Sequence, residues 1–133
     1  MNAKMEIKTG KQFKLVRTVT EEMTAASVGS GDLRVLATPV MIALFEESSA
    51  ACLREFLDPE QTSVGVSVDV RHTSATPVGG TVRVNTEIVE SDGRTVTFRA
   101  TASDDSGEIG DCIHRRVIVA AERFLEKAYA KLK

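Results

Sequence analysis

Between Gln12 and Thr20, Phe13, Leu15 and Val19 alternate with polar neighbours, which predicts a first strand, although Arg17 interrupts the register. The stretch 21–37 mixes both kinds of residue and carries Gly29, Ser30 and Gly31, which predicts a loop. From Thr38 to Asp58 the period becomes helical. Leu44, Ala51 and Cys52, with Met41, Ser48 and Glu55 nearby, mark one face. Thr38 is read as the N-cap, with Pro39 at the first helical position. Asp58-Pro59 is expected to end the helix. Ser48, Ser49, Ala50 and Ala51 are small, so another backbone can approach closely.

From Ser63 the period changes to two. Val64, Val66, Val68 and Val70 share one register, and His72 continues it, so the four valines are expected to be buried with an imidazole closing their face. Val82, Val84, Thr86 and Ile88 mark the next strand. After the hairpin signal Asp92-Gly93 comes a strand with Val96, Phe98, Ala100 and Ala102 on one side. The last strand, 108–120, is less clean, because Asp111 and Arg115 share a register with Ile113 and Val117. A short basic-ended helix follows. Strand, helix and a meander of four strands make an α+β plan: a curved antiparallel sheet of about five strands wrapped around one long helix, the hotdog arrangement. A bare edge of such a sheet is protected when a second copy pairs with it, so a homodimer, or a higher homo-oligomer, is expected.

The chain has 133 residues and reads as a single domain, 1–133. A net charge of −2 and a lack of tryptophan argue against a nucleic-acid role, and no apolar run is long enough for a membrane span. Two cysteines, Cys52 and Cys112, read as free thiols rather than a disulfide framework. With no apolar leader in the first residues, a cytoplasmic location is the expectation.

Candidate chemistry is sparse. No nucleophile elbow, phosphate loop or dinucleotide fingerprint is present. Cys112 and His114 share a strand face, but no second ligand cluster accompanies them, so no metal site is expected. Arg115 and Arg116 read as a solvated face with an ion pair, or as candidates for the phosphates of a bulky anion. His72 reads either as a core histidine satisfied by hydrogen bonds or as an acid–base group facing Thr38, Glu46 or Glu47 from the helix. Of the two glutamates only one can face the sheet, because neighbours on a helix point about 100° apart.

Two stretches, Thr38 to Glu46 ("TPVMIALFE") and Gly65 to Gly79 ("GVSVDVRHTSATPVG"), resemble the fluoroacetyl-CoA thioesterase-like branch of the hotdog thioesterases, as does 107–119 ("GEIGDCIHRRVIV"). The resemblance runs from about Thr38 to Phe124. It implies hydrolysis of a small acyl-CoA thioester, without metal or cofactor, in dimers with sites at the interface. It carries the family's catalytic threonine, glutamate and histidine onto Thr38, Glu46 and His72, and its motif glycine onto Gly65, whose N–H is a candidate oxyanion contact. Where the fluoroacetyl-specific enzyme has phenylalanines before the threonine, this chain reads "GSGDLRVLAT", with no aromatic residue. A hotdog hydratase or dehydratase, and a non-catalytic acyl-CoA or small-acid binder, are the alternatives.

Overall fold

The computed structural model describes residues 6–133. Five strands form one antiparallel sheet: β1 (Gln12–Thr18), β2 (Gln61–His72), β3 (Thr81–Ser91), β4 (Thr95–Asp104) and β5 (Gly107–Ala120). A short helix α1 (Ala25–Val28), the long α2 (Thr38–Arg54) and the C-terminal α3 (Ala121–Tyr129) complete the chain. No helix among the described residues is long and apolar enough to cross a membrane.

The strand order is β1-β3-β4-β5-β2. Only β3, β4 and β5 form a meander, which corrects the expected run of four. β1 occupies the place beside β3, and β2 pairs with β5 at the opposite edge. The connection 73–80 therefore spans the sheet rather than making a hairpin. It is held by hydrogen bonds from the N–H groups of Thr73 and Ser74 to the Ile109 carbonyl.

α2 buries Met41, Leu44, Phe45, Ser48, Ser49, Cys52 and Leu53, a stripe at spacings of three and four that faces the sheet. Its first half packs Met41, Leu44 and Phe45 against Leu15, Val84 and Ala100. Its second half packs Cys52 and Leu53, with Phe56 just beyond the helix end, against Ile88, Val96 and Phe98. The small middle of the helix lets the Ser48 hydroxyl reach that of Thr86 on β3. This satisfies two buried polar groups at the centre of the core.

The four valines of β2 do not form one buried face. Val66 is 56% exposed and Val68 39% exposed, and Val64 and Val70 are only partly buried. There are two reasons. β2 is an edge strand, flanked on one side only. In addition, its register against β5 shifts between Gly65 and Ser67. A bulge adds one residue, and one added residue exchanges the faces. Val64 lies opposite Val117 and, with Val66 and Phe124 of α3, lines a groove on the outer side. Beyond the bulge Val68 lies opposite buried His114 and Val70 opposite buried Cys112, so this end of the strand faces α2. His72 continues the second register, not a run of four buried valines. The same pairing resolves β5: Cys112, His114 and Arg116 are buried toward the helix side, while Arg115 is exposed on the other.

Candidate active site

Thr38 stands in the first turn of α2, one residue later than its expected position. Ala37 is the N-cap and supplies no side-chain cap. The Thr38 hydroxyl is thereby free of capping, and it lies 2.8 Å from His72 Nδ1. Backbone bonds on both sides enforce this meeting. Leu36 N–H donates to the Thr76 carbonyl, and Ala37 N–H to the Met23 carbonyl. Thr76 is buried, and its hydroxyl donates to Asp104. The T-P of the H-T-S-A-T-P run thus fastens the start of α2 to the end of β2. This supporting role was not visible in the sequence, because the partner Asp104 lies 28 positions further along.

Thr38 and His72 line a shallow cavity of about 280 Å³, together with Ala25, Leu36, Ser74 and Ala75. His72 Nε2 is buried and has no hydrogen-bond partner among the described residues. Burial pushes the His72 imidazole below the ordinary histidine range, opposed in part by a backbone hydrogen bond at Ser74. A neutral imidazole with one nitrogen engaged and the other unsatisfied is ready to exchange a proton with an incoming group.

The two glutamates of α2 separate as helix geometry requires. Glu47 is exposed and pairs with Arg17 on β1. Glu46 turns toward the edge of the sheet. Its Oε2 lies 3.5 Å from Arg116 Nη1 and 4.0 Å from His114 Nε2. It also lies 2.6 Å from the point a Cβ on Gly65 would occupy, so any side chain at 65 would collide with the carboxylate. Arg115 shows no contact with this group and lies on the opposite face.

The predicted residues therefore fall into two clusters. One is Thr38 with His72, and the other is Glu46 with Gly65 and Arg116. Eight helical residues separate Thr38 from Glu46, about 12 Å of rise. Along β5, His72 lies opposite Gly110 and Gly65 opposite Arg116, which puts about 20 Å of strand between them. No hydrogen bond joins the clusters among the described residues. His114 belongs to the second cluster. Its pairing with Cys112 as the start of a metal site is not matched by any group of metal-ligating side chains among the described residues.

The family model for fluoroacetyl-CoA-specific thioesterases matches residues 19–122, a span that holds both clusters. The fluoroacetyl-CoA thioesterase of Streptantibioticus cattleyicolor is 36% identical over 97 residues, 73% of this chain and 70% of that enzyme. A solved structure of the fluoroacetyl-CoA thioesterase FlK superposes with a TM-score of 0.90, at 29% identity, over 96% of this chain and 98% of the other. A variant of FlK in complex with fluoroacetate and CoA gives a TM-score of 0.85, at 30% identity, over 89% and 99%. A hot-dog-like protein from Thermanaerovibrio acidaminovorans, at 18% identity, has the same fold, with a TM-score of 0.86 over 94% and 93%. The chain belongs to the fluoroacetyl-CoA-specific thioesterase family, within the hotdog fold.

Proposed function

We propose that this protein hydrolyses a small acyl-CoA thioester to the free acid and CoA, as a cytoplasmic homodimer whose two sites each draw on both chains. The observation that carries the reading is the Thr38–His72 hydrogen bond with Nε2 left unsatisfied. Family membership supplies the reaction class. The free, buried Cys52 and Cys112 agree with a reducing compartment.

The interface follows from the edge strand. Antiparallel pairing of β2 with a second β2 about its middle sets the start of one strand beside the end of the other. Thr38 and His72 of one protomer then come to Glu46 of the partner subunit. The same pairing covers exposed Val66 and Val68 and removes a bare sheet edge.

In this site His72 serves as the base that activates the nucleophile, or as the acid that protonates the departing thiolate. Glu46 attacks the carbonyl carbon or orients the attacking water. Thr38 positions the imidazole through their hydrogen bond. The N–H of Gly65, at the bulge of the free edge, is the candidate donor to the developing oxyanion. Of the two candidates for the CoA phosphates, Arg116 is buried beside Glu46, and exposed Arg115 is the more accessible.

The test is thiol release from a panel of short acyl-CoAs that includes acetyl-CoA and fluoroacetyl-CoA. Release of CoA thiol with free acid supports hydrolysis. Loss of enoyl absorbance without thiol release would point to a hydratase, and binding without turnover to a non-catalytic protein. Either result would overturn the proposal, as would full activity in a protein that stays monomeric at assay concentration.

A further inference from the structure

Arg116 is held on almost every side. Its Nε donates to Ser63 Oγ at 2.8 Å and its Nη2 to the Ser63 carbonyl at 3.0 Å. Nη1 lies 3.5 Å from Glu46 Oε2 and 3.1 Å from His114 Nε2. The other ring nitrogen of His114, Nδ1, lies 2.8 Å from the Ser67 carbonyl. His114 itself is 1% exposed and stacks obliquely near Phe98.

These contacts determine the tautomer. A carbonyl only accepts, so Nδ1 must carry the hydrogen. A guanidinium only donates, so Nε2 must present its lone pair. Protonation of Nε2 would set N–H against N–H and bring a second positive charge beside Arg116. We infer that His114 is a positioning residue, a neutral Nδ1–H imidazole that accepts from Arg116 and so aims the guanidinium at Glu46 across Gly65. The inference rests on the thioesterase reading for its effect on rate, but not for its geometry.

The groups facing His114 are Arg116 on its own strand, Glu46 from α2 and the Ser67 carbonyl from β2. Burial is the first cause that lowers its proton affinity, and Arg116 adds to it, while the Ser67 carbonyl and Glu46 oppose. A neutral ring whose Nε2 lone pair is engaged by Arg116 holds no proton to give as the acid of the reaction. Its contribution is to orient, as the outer partners of a metal ligand do.

The effect reaches the site through Arg116. Without an acceptor at Nε2 the guanidinium loses the contact that holds Nη1 toward the carboxylate, and Glu46 loses a fixed partner. A misplacement of that kind slows turnover without abolishing the fold.

Two measurements test this. In the ¹⁵N-labelled native protein, long-range ¹H–¹⁵N correlation should show His114 as the Nδ1–H tautomer, with no titration between about pH 5 and about 8. An Nε2–H pattern, or titration in that range, would overturn the inference whether or not the protein is active. In kinetics, His114→Leu should lower kcat about tenfold or more, with KM changed by about twofold or less. His114→Gln, which extends an amide oxygen toward the place of Nε2, should recover most of that loss. Equal kcat in His114→Leu and native protein, or no recovery in His114→Gln, would reduce His114 to core packing. If His114→Leu does not fold, His114→Gln and the spectrum still decide. A native protein without thioesterase activity removes the proposed function instead, while the spectrum continues to read the hold on Arg116.

Discussion

The carboxylate of Glu46 occupies the space that a side chain at residue 65 would need, with Oε2 2.6 Å from the Cβ position of Gly65. His114 Cε1 and Arg116 Nη1 close the same space at 3.1 and 3.4 Å. Gly65 is thus small because helix and edge strand meet there through a charged group, not because the backbone turns.

Gly65→Ala should therefore displace the Glu46 carboxylate rather than unfold the protein. The colliding atom is the end of a flexible side chain. Alanine also costs less than glycine in a strand, by about 0.5–1 kcal/mol, which offsets part of the crowding. The expected outcome is a thermal midpoint within a few degrees of native and a loss of turnover of about tenfold or more. Thermal unfolding and thiol release on the same preparation check it. Native turnover in Gly65→Ala would show that the carboxylate position is not critical.

Glu46→Gln and Glu47→Gln should differ sharply. Glu46→Gln keeps size but removes the charge and the nucleophilic oxygen, and should lower kcat at least about 100-fold. Glu47 is exposed and pairs with Arg17 across the surface. Its loss should change turnover little and stability by no more than about 1 kcal/mol. Steady-state rates of the two variants, with circular dichroism as a control, settle the assignment. Equal rates would remove Glu46 from the site.

A site shared between chains predicts complementation. His72→Ala and Glu46→Gln should each be nearly inactive alone. After mixing and exchange of subunits, a mixed dimer holds one site with both defects and one with none, so activity should return. If His72 and Glu46 of the same chain formed the site, no mixed dimer would contain an intact one. Continued inactivity after verified exchange would overturn the shared site.

Acid should destabilise the fold through its histidines. Burial holds both His72 and His114 below their ordinary proton affinity. Between the folded and unfolded values the unfolded chain binds more protons, so stability rises with pH. The contribution is complete above the unfolded value, about 6.5, and is lost as pH falls through the folded values. The thermal midpoint should fall from about pH 7 to about pH 5, with a shallower slope in His114→Gln. A midpoint that rises on acidification would contradict both burials.

The parts of this protein legible in the sequence were those set by local rules. The helical period of α2, the alternation in β3 and β4 and the Asp92-Gly93 turn each follow from residues a few positions apart. In the turn, the Asp92 carboxylate accepts from the N–H groups of Arg94 and Thr95. Glu46 was separable from Glu47 by helix geometry together with the family spacing. The order of strands was not legible, because β2 and β3 have similar patterns and nothing local says which neighbours each will take. The bulge in β2 was hidden for a related reason. Val66 continues the valine repeat in sequence, and only pairing with β5 reveals that it is the extra residue. Thr38 reads as a cap by composition, and tertiary contact with His72 gave its hydroxyl another partner. Neither the buried His114–Arg116 pair nor the 2.6 Å approach of Glu46 to the Cβ position of Gly65 has a sequence signature. Burial of a cation and an imidazole is tolerable only when distant carbonyls, hydroxyls and a carboxylate converge on them, and that convergence is a property of the folded sheet and helix.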